Sequence, residues 1–351
     1  MDKPRLVDLA RQLSVIASHG TMVTLVSSGA VAAGRELLNY PHLSKHIPGK
    51  QILASVGQPY LMSIYMDLFK IYNLAAAQIL LTRNDFIHRK SYLNARNTIE
   101  GLLGQHVIPI INENDTVSTD EIRVGDNDML SAYVSGLIGA DLLVLLTDQD
   151  GLFDMNPELH AEAKLIDLVD GVEIPSFVWE AAGGSLTGMG TGGMLTKVRA
   201  ADVARRMGTP VMIANGTIPD VLLRIAAGER FGTVFRATNT VLESRKRYLL
   251  TGFRSNEAAI ILDSGATQAI KRGKSLLPAG IIGVQGEFDR GDTVRLVNND
   301  GEEIAVGLVN YSASEIQKIC GAKASEIETI LGYTYADEVV HQDNMIKGKT
   351  R

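Results

Sequence analysis

Residues 184–201 read GSLTGMGTGGMLTKVRAA, a glycine-rich run that leads into good helix formers. Glycine gives up more conformational freedom on folding than any other residue, so such a run suits a packed element poorly. Ahead of a helix it suits an anion instead. Bare backbone N–H groups can approach a phosphate closely, and the helix N-terminus adds positive potential. Thr191, Gly192, Gly193 and Thr196 offer donors, and Lys197 offers a mobile charge for a phosphoryl group in transfer. The spacing of a Walker A loop is absent. A plain surface loop is the competing reading.

A second cluster, INENDTVSTDEIRVGDNDMLSA (111–132), carries Glu113, Asp115, Asp120, Glu121, Asp126 and Asp128 beside Asn112, Asn114 and Asn127. It fails the EF-hand pattern, which rules out that calcium loop. Its carboxylates could bind a substrate ammonium or orient a magnesium–nucleotide complex, or they could simply be solvated. A third feature is SSGA (27–30). Ser28 there could cap a helix, or grip a substrate carboxylate with its hydroxyl and a neighbouring amide.

The elements that must position these residues repeat one grammar. Leu6, Leu9, Leu13 and Ile16 recur at helical spacing until His19-Gly20. TMVTLV (21–26), AAAQILLT (75–82), VIPIIN (107–112), LLVLLT (142–147) and PVMIAN (210–215) are apolar runs of strand length. Helix-like segments separate them, among them 128–140 and 196–208. This alternation predicts an α/β fold with a parallel sheet between helices. Ligands then sit beyond the carboxyl ends of the strands, where Ser27–Gly29, Asn112–Asp115, Thr147-Asp148 and Asn215-Gly216 all fall. The style changes near residue 240. A basic linker over 241–254 precedes a β-rich domain over 255–337, with a hairpin signal at NNDGE, and 338–351 reads as a loose polar tail.

The bulk numbers agree with a two-domain globular enzyme: 351 residues, 45% hydrophobic and 21% charged. A formal charge of −6 argues against a whole-chain nucleic-acid binder. One cysteine, Cys320, excludes an intramolecular disulfide framework and a multi-cysteine zinc site. The start, MDKPRLVDLARQ, has no apolar core of a secretory signal, and no run is long and apolar enough to span a membrane. The expectation is a cytoplasmic protein.

Taken together, VSSGAVAAGRE (26–36), INENDTVSTDEIRVGDND (111–128), LLTDQDGLFDMNP (145–157) and GTGGMLTK (190–197) resemble the glutamate 5-kinase branch of the amino-acid kinase family. DSGATQAI, SLLPAGI and GEFDRGDTV (263–293) resemble its accessory PUA domain. The resemblance implies a three-layer parallel-sheet kinase domain over 1–240 and a small PUA-like barrel over 255–337. It implies ATP with Mg2+, L-glutamate as acceptor, glutamyl 5-phosphate as product, proline as feedback inhibitor, and a homo-oligomer, dimer or tetramer. Ser28, Asp115 and Asn127 fall where the family binds glutamate. Thr147, Asp148, Thr191, Gly192, Gly193, Met194, Leu195, Thr196 and Lys197 fall in its nucleotide site. Asp126 would organise the catalytic lysines and Lys197 would stabilise the transferring phosphoryl group. No metal ligand is assigned.

The family opens with a strand reading roughly V-V-K-L-G-T-S, whose lysine reaches the phosphates. Here Met1 stands at the edge of the first helix, and Lys3, followed by Pro4, is not given that role. The expectation is that this strand is encoded upstream of Met1. The alternative function is an impaired kinase fold that binds or regulates, with RNA contact through the PUA-like domain. Two basic clusters would serve it: Arg245, Lys246 and Arg247, and Lys271, Arg272 and Lys274.

Overall fold

The computed structural model of the chain describes residues 1–39, 47–118, 127–155, 157, 159–183, 193–240 and 254–347, with the side chains of 254–257 left aside. Asp126, Thr191, Gly192, most of the basic linker and the cluster Arg245–Arg247 lie outside these residues. The chain divides into two compact units, residues 1–87 with 94–239, and residues 88–93 with 240–351. No helix among the described residues is long and apolar enough to cross a membrane.

In the first unit, α1 (Lys3–Ser18) starts at Asp2, whose carboxylate accepts from Arg5 N at 3.2 Å. Pro4 sits in its first turn, where the missing N–H has no intrahelical partner to lose. After β1 (Leu25–Val26) come α2 (Ala30–Leu37), α3 (Ile47–Lys70), β2 (Ala76–Leu81), α4 (Arg83–Ile87), α5 (Arg89–Gly104), β3 (Ile108–Glu113) and α6 (Asn127–Ile138). There follow β4 (Leu143–Thr147), β5 (Leu168–Val169), α7 (Ser176–Ala181), α8 (Met194–Arg206), β6 (Val211–Asn215), α9 (Val221–Ala226) and β7 (Thr233–Phe235).

Two sheets result. β1, β3 and β2 pair in parallel with β3 in the middle, and β3 is buried at every position, as its unbroken apolar run predicts. The other sheet runs β4-β6-β7-β5, with β4 parallel to β6 but β7 antiparallel to it. The sequence predicts a six-residue strand over 21–26, yet only Leu25 and Val26 pair, with Ile110 and Ile111. Thr21 to Ser28 and Leu142 to Leu146 instead both line a cavity of about 590 Å³. Neither β1 nor β4 has a second strand neighbour among the described residues.

The packing of α2 on α3 is unusually close and depends on two glycines. A Cβ on Gly57 would lie 1.9 Å from the Ala30 carbonyl oxygen, and one on Gly34 1.9 Å from that of Leu53. Both obstacles are backbone, so neither can swing aside. Gly57→Ala is expected to lower unfolding stability by about 1–3 kcal/mol, read as a lower urea midpoint with unchanged slope. An unchanged midpoint would mean that the two helices can separate without loss.

The second unit holds β8 (Arg254–Leu262), α10 (Ser264–Lys271), β9 (Ile281–Gln285), β10 (Thr293–Val297), β11 (Glu303–Leu308), α11 (Ala313–Ile319), α12 (Ile327–Leu331) and β12 (Met345–Lys347). Its sheet order is β12-β11-β10-β8-β9. The NNDGE signal does close the β10–β11 hairpin: the Asn298 side chain accepts from Asp300 N and Glu302 N, and Gly301 takes φ 80°. Residues read as a loose tail behave otherwise. Met345–Lys347 pair with β11, and Val339 and Val340 are wholly buried. Room for them comes from Gly307, where a Cβ would sit 2.5 Å from the Val340 side chain.

Candidate functional site

At the carboxyl end of the first sheet, Ser27 N donates to the Ile111 carbonyl at 2.9 Å. The Ser27 hydroxyl lies 2.9 Å from that of the buried Tyr65, which anchors the turn. Burial pushes the Tyr65 phenol up from its ordinary value, so it stays a neutral partner. Gly29, at φ 112°, takes the N-cap position of α2 without any side-chain cap. The capping role considered for Ser28 is therefore not used, and Ser28 remains exposed at the cavity wall.

Asn127 and Asp128 open α6, and the N-terminus of a helix favours an acid in its first turn. α6 packs against α8 through small residues, Ala132 on one side and Ala200, Ala201 and Ala204 on the other, all fully buried. That approach brings Asp128 onto the first turn of α8. Lys197 Nζ donates to its two carboxylate oxygens at 3.0 and 3.1 Å, and the Thr196 hydroxyl donates to it at 2.8 Å. α8 begins at Gly193, at φ 78° and with no side-chain cap. Among the described residues no side chain caps its first N–H groups, which a helix leaves without intrahelical partners. A lysine in the first turn is electrostatically unfavourable for the helix itself. A cation beside uncapped amides makes sense as half of a pair whose other half is an anion.

The same cavity gathers Ser28, Asn127, Asp128 and Lys197. Behind it runs a ladder of side-chain amides. Asn127 Nδ2 donates to Asn112 Oδ1 at 3.0 Å, and Asn112 Nδ2 donates to Gln58 Oε1 at 2.8 Å. Asn112 Oδ1 also accepts from Glu113 N at 2.9 Å.

Asp115 stands apart from the lysine, in a smaller opening of about 160 Å³ with Gln58 and Glu113. It is half-buried, and burial raises its carboxyl above the ordinary range. It makes no hydrogen bond or ion pair with any described residue. A carboxylate so placed is a receptor for a cation.

Thr147 ends β4 and Asp148 follows it, and Gly216 N donates to the Thr147 carbonyl at 2.8 Å. Thr147 Oγ1 donates to Asp148 at 3.2 Å, and Asn215 Nδ2 donates to Asp150 at 2.8 Å. Of the glycine-loop run, Leu195 turns its side chain into the core at 3% exposure, so only its backbone is available to a ligand. Asp128, a member of the acidic cluster to which the resemblance gives no role, is the carboxylate that holds Lys197. The signal for it was a helix start at Asn127, which makes Asp128 the first-turn acid.

Among the described residues no group of three or more His, Cys, Asp or Glu side chains converges on one point. What this arrangement can do chemically is hold an anion against Lys197 and the α8 amides while an amino group is held at Asp115.

The amino acid kinase family matches residues 2–215, and the PUA domain matches residues 258–331. A glutamate 5-kinase of Deinococcus radiodurans is 49% identical over 347 residues, covering 99% of this chain and 94% of its own length. Those of Shewanella oneidensis and Herpetosiphon aurantiacus are 49% and 50% identical, over 99% of this chain and 92% and 93% of theirs.

Proposed function

This chain belongs to the amino acid kinase family, among its glutamate 5-kinases, and from that premise we propose that it moves the terminal phosphoryl group of ATP onto the side-chain carboxylate of L-glutamate. The product is L-glutamyl 5-phosphate, which opens the route to proline. The observation that carries the reading is Lys197, held by Asp128 near the start of α8 and lining a cavity that Ser28 and Asn127 share.

The chemistry asks little of acids and bases. A glutamate carboxylate has an ordinary pKa near 4.3, so at neutral pH it is already ionised and nucleophilic. The site has to hold two anions together and neutralise charge spreading over the phosphoryl oxygens. Lys197 and the first amides of α8 do that, with Thr147, Asp148 and the run Thr191 to Thr196 taking the nucleotide. Ser28 and Asn127 hold the acceptor near the lysine. Asp115 pairs with its free ammonium, a group that an N-acylated substrate lacks. Asp126 is assigned with Lys197 to the catalytic group. Mg2+, when bound with ATP, adds positive charge at the phosphates.

The chain acts in the cytoplasm as a homo-oligomer, with proline as its feedback inhibitor. These extensions rest on the family. In a coupled assay, ADP is expected to form only when L-glutamate is present, with aspartate and carbamate at least about 100-fold poorer acceptors, because the polar groups that fit glutamate are left unpaired by a shorter acid. Equal turnover with aspartate or carbamate would assign the chain to another branch of amino-acid phosphorylation.

A further inference from the structure

The amide ladder has a fixed polarity, and its free ends point to a second recognition residue. Glu113 N is a donor that cannot change places, so Asn112 must turn Oδ1 towards it. Asn112 then presents Nδ2 to Gln58, and Gln58 must answer with Oε1. Gln58 Nε2 is left over. By the same logic Asn127 gives Nδ2 to Asn112 and is left with Oδ1. Both leftover atoms are buried and without a partner among the described residues, and Gln58 as a whole is 7% exposed. A shielded amide donor without an acceptor carries a desolvation penalty that a ligand oxygen would relieve.

The two ends lie in different places. Asn127 lines the cavity of Lys197, whereas Gln58 lines the smaller opening with Asp115. Pro59 adds to that opening a backbone that cannot donate to the Ser55 carbonyl, and both residues also line it. At this end a carboxylate without a partner among the described residues asks for a cation, and an unpartnered amide donor lining the same opening asks for an anion. A zwitterionic α-amino-acid head group satisfies both at once, and its side-chain carboxylate can then reach along the ladder towards Asn127 and Lys197.

We infer that Gln58 is a specificity-determining residue whose Nε2 donates to the α-carboxylate of the bound glutamate while Asp115 takes the α-ammonium. This rests on the glutamate reading and deepens it. The test compares L-glutamate with 4-aminobutyrate, which is glutamate without its α-carboxylate, by calorimetric titration of the full chain and its variants. Gln58→Met is expected to weaken glutamate about 10- to 100-fold, the loss typical of a hydrogen bond to a charged group. It should weaken 4-aminobutyrate by less than about 3-fold, and leave ATP affinity unchanged. Gln58→Glu keeps an oxygen for Asn112 but sets an anion against the carboxylate, so it should weaken glutamate further and again spare 4-aminobutyrate. If Gln58→Met fails to fold, Gln58→Glu carries the same comparison. Equal losses for the two ligands would overturn the inference alone, since Gln58 would then act only through Asn112. No glutamate binding by the unaltered chain would overturn the premise and the inference with it.

Discussion

Lys197→Ala is expected to lower kcat for glutamate phosphorylation by about 10²–10³-fold, the usual loss when one preorganised stabiliser of developing charge is removed. Asp128 defines where that charge stands. Both Asp128 carboxylate oxygens accept from Nζ within 3.1 Å, and the Thr196 hydroxyl donates to the same carboxylate and holds it in place. The ammonium is thereby fixed before any nucleotide arrives, so its electrostatic work costs little reorganisation at the moment of transfer. The loss should fall on kcat more than on the KM for ATP, because charge on the phosphoryl oxygens matters most in the transition state.

A merely structural lysine would give another pattern. The pair is mostly shielded, with side chains 16% and 20% exposed, yet still open to solvent on one side. Removing the lysine should then change stability by about 1 kcal/mol, the upper range for accessible pairs, far too little to explain a hundredfold fall in rate. Lys197→Arg separates charge from shape: a planar fork keeps the charge but cannot reproduce a point contact held by the Asp128 carboxylate. Partial recovery with arginine would support a charge role. A kcat within about 3-fold of the unaltered chain in Lys197→Ala would place the reacting phosphoryl group elsewhere.

Much of this site is legible in the sequence because its parts sit at strand ends. The apolar runs 75–82, 107–112, 142–147 and 210–215 foretell β2, β3, β4 and β6 within a residue or two, and each delivers a polar loop to the same side of the fold. Strand β7 is harder to see, because Thr233–Phe235 is three residues long and runs antiparallel, against the grammar of its neighbours. The shortness of β1 is also invisible locally: TMVTLV has ideal strand composition, and only the pairing pattern limits it to Leu25 and Val26. Choosing among Asp126, Asn127 and Asp128 requires the phase of a helix, which a string of polar residues does not carry. Gln58 is further still from any motif. It lies on α3, 54 residues before the Asn112 it bonds, and nothing in its own neighbourhood marks it. The residues at 339–347 look loose for a related reason: their apolar Val-Val pair is too short to signal, while the space it fills is made by a glycine on β11.

Asp115→Asn is expected to weaken glutamate binding by about 10²-fold or more while making the fold more stable at neutral pH. Both effects come from one cause. The carboxyl is held above the ordinary range by burial alone, with no described donor or cation to offset it. Folding therefore raises its proton affinity, and between the unfolded and folded values the folded chain binds more protons. Stability from this group must then fall as pH rises through that window, and the penalty is full once the carboxylate is ionised in the folded state. Asparagine has no charge to desolvate, so the variant should melt higher at pH 7 and lose its advantage as the buffer is brought down towards the ordinary carboxylate range. Binding runs the opposite way. An ammonium needs the ionised form, so the KM for glutamate in the unaltered chain should climb as pH falls through the raised value, and in the variant it should be high at every pH. A thermal scan and a KM profile over the same buffers decide the matter. If Asp115→Asn lowered the melting point at pH 7, or left the KM untouched, the carboxylate would be satisfied by the protein itself, and the ammonium of the substrate would have to be met by some other group.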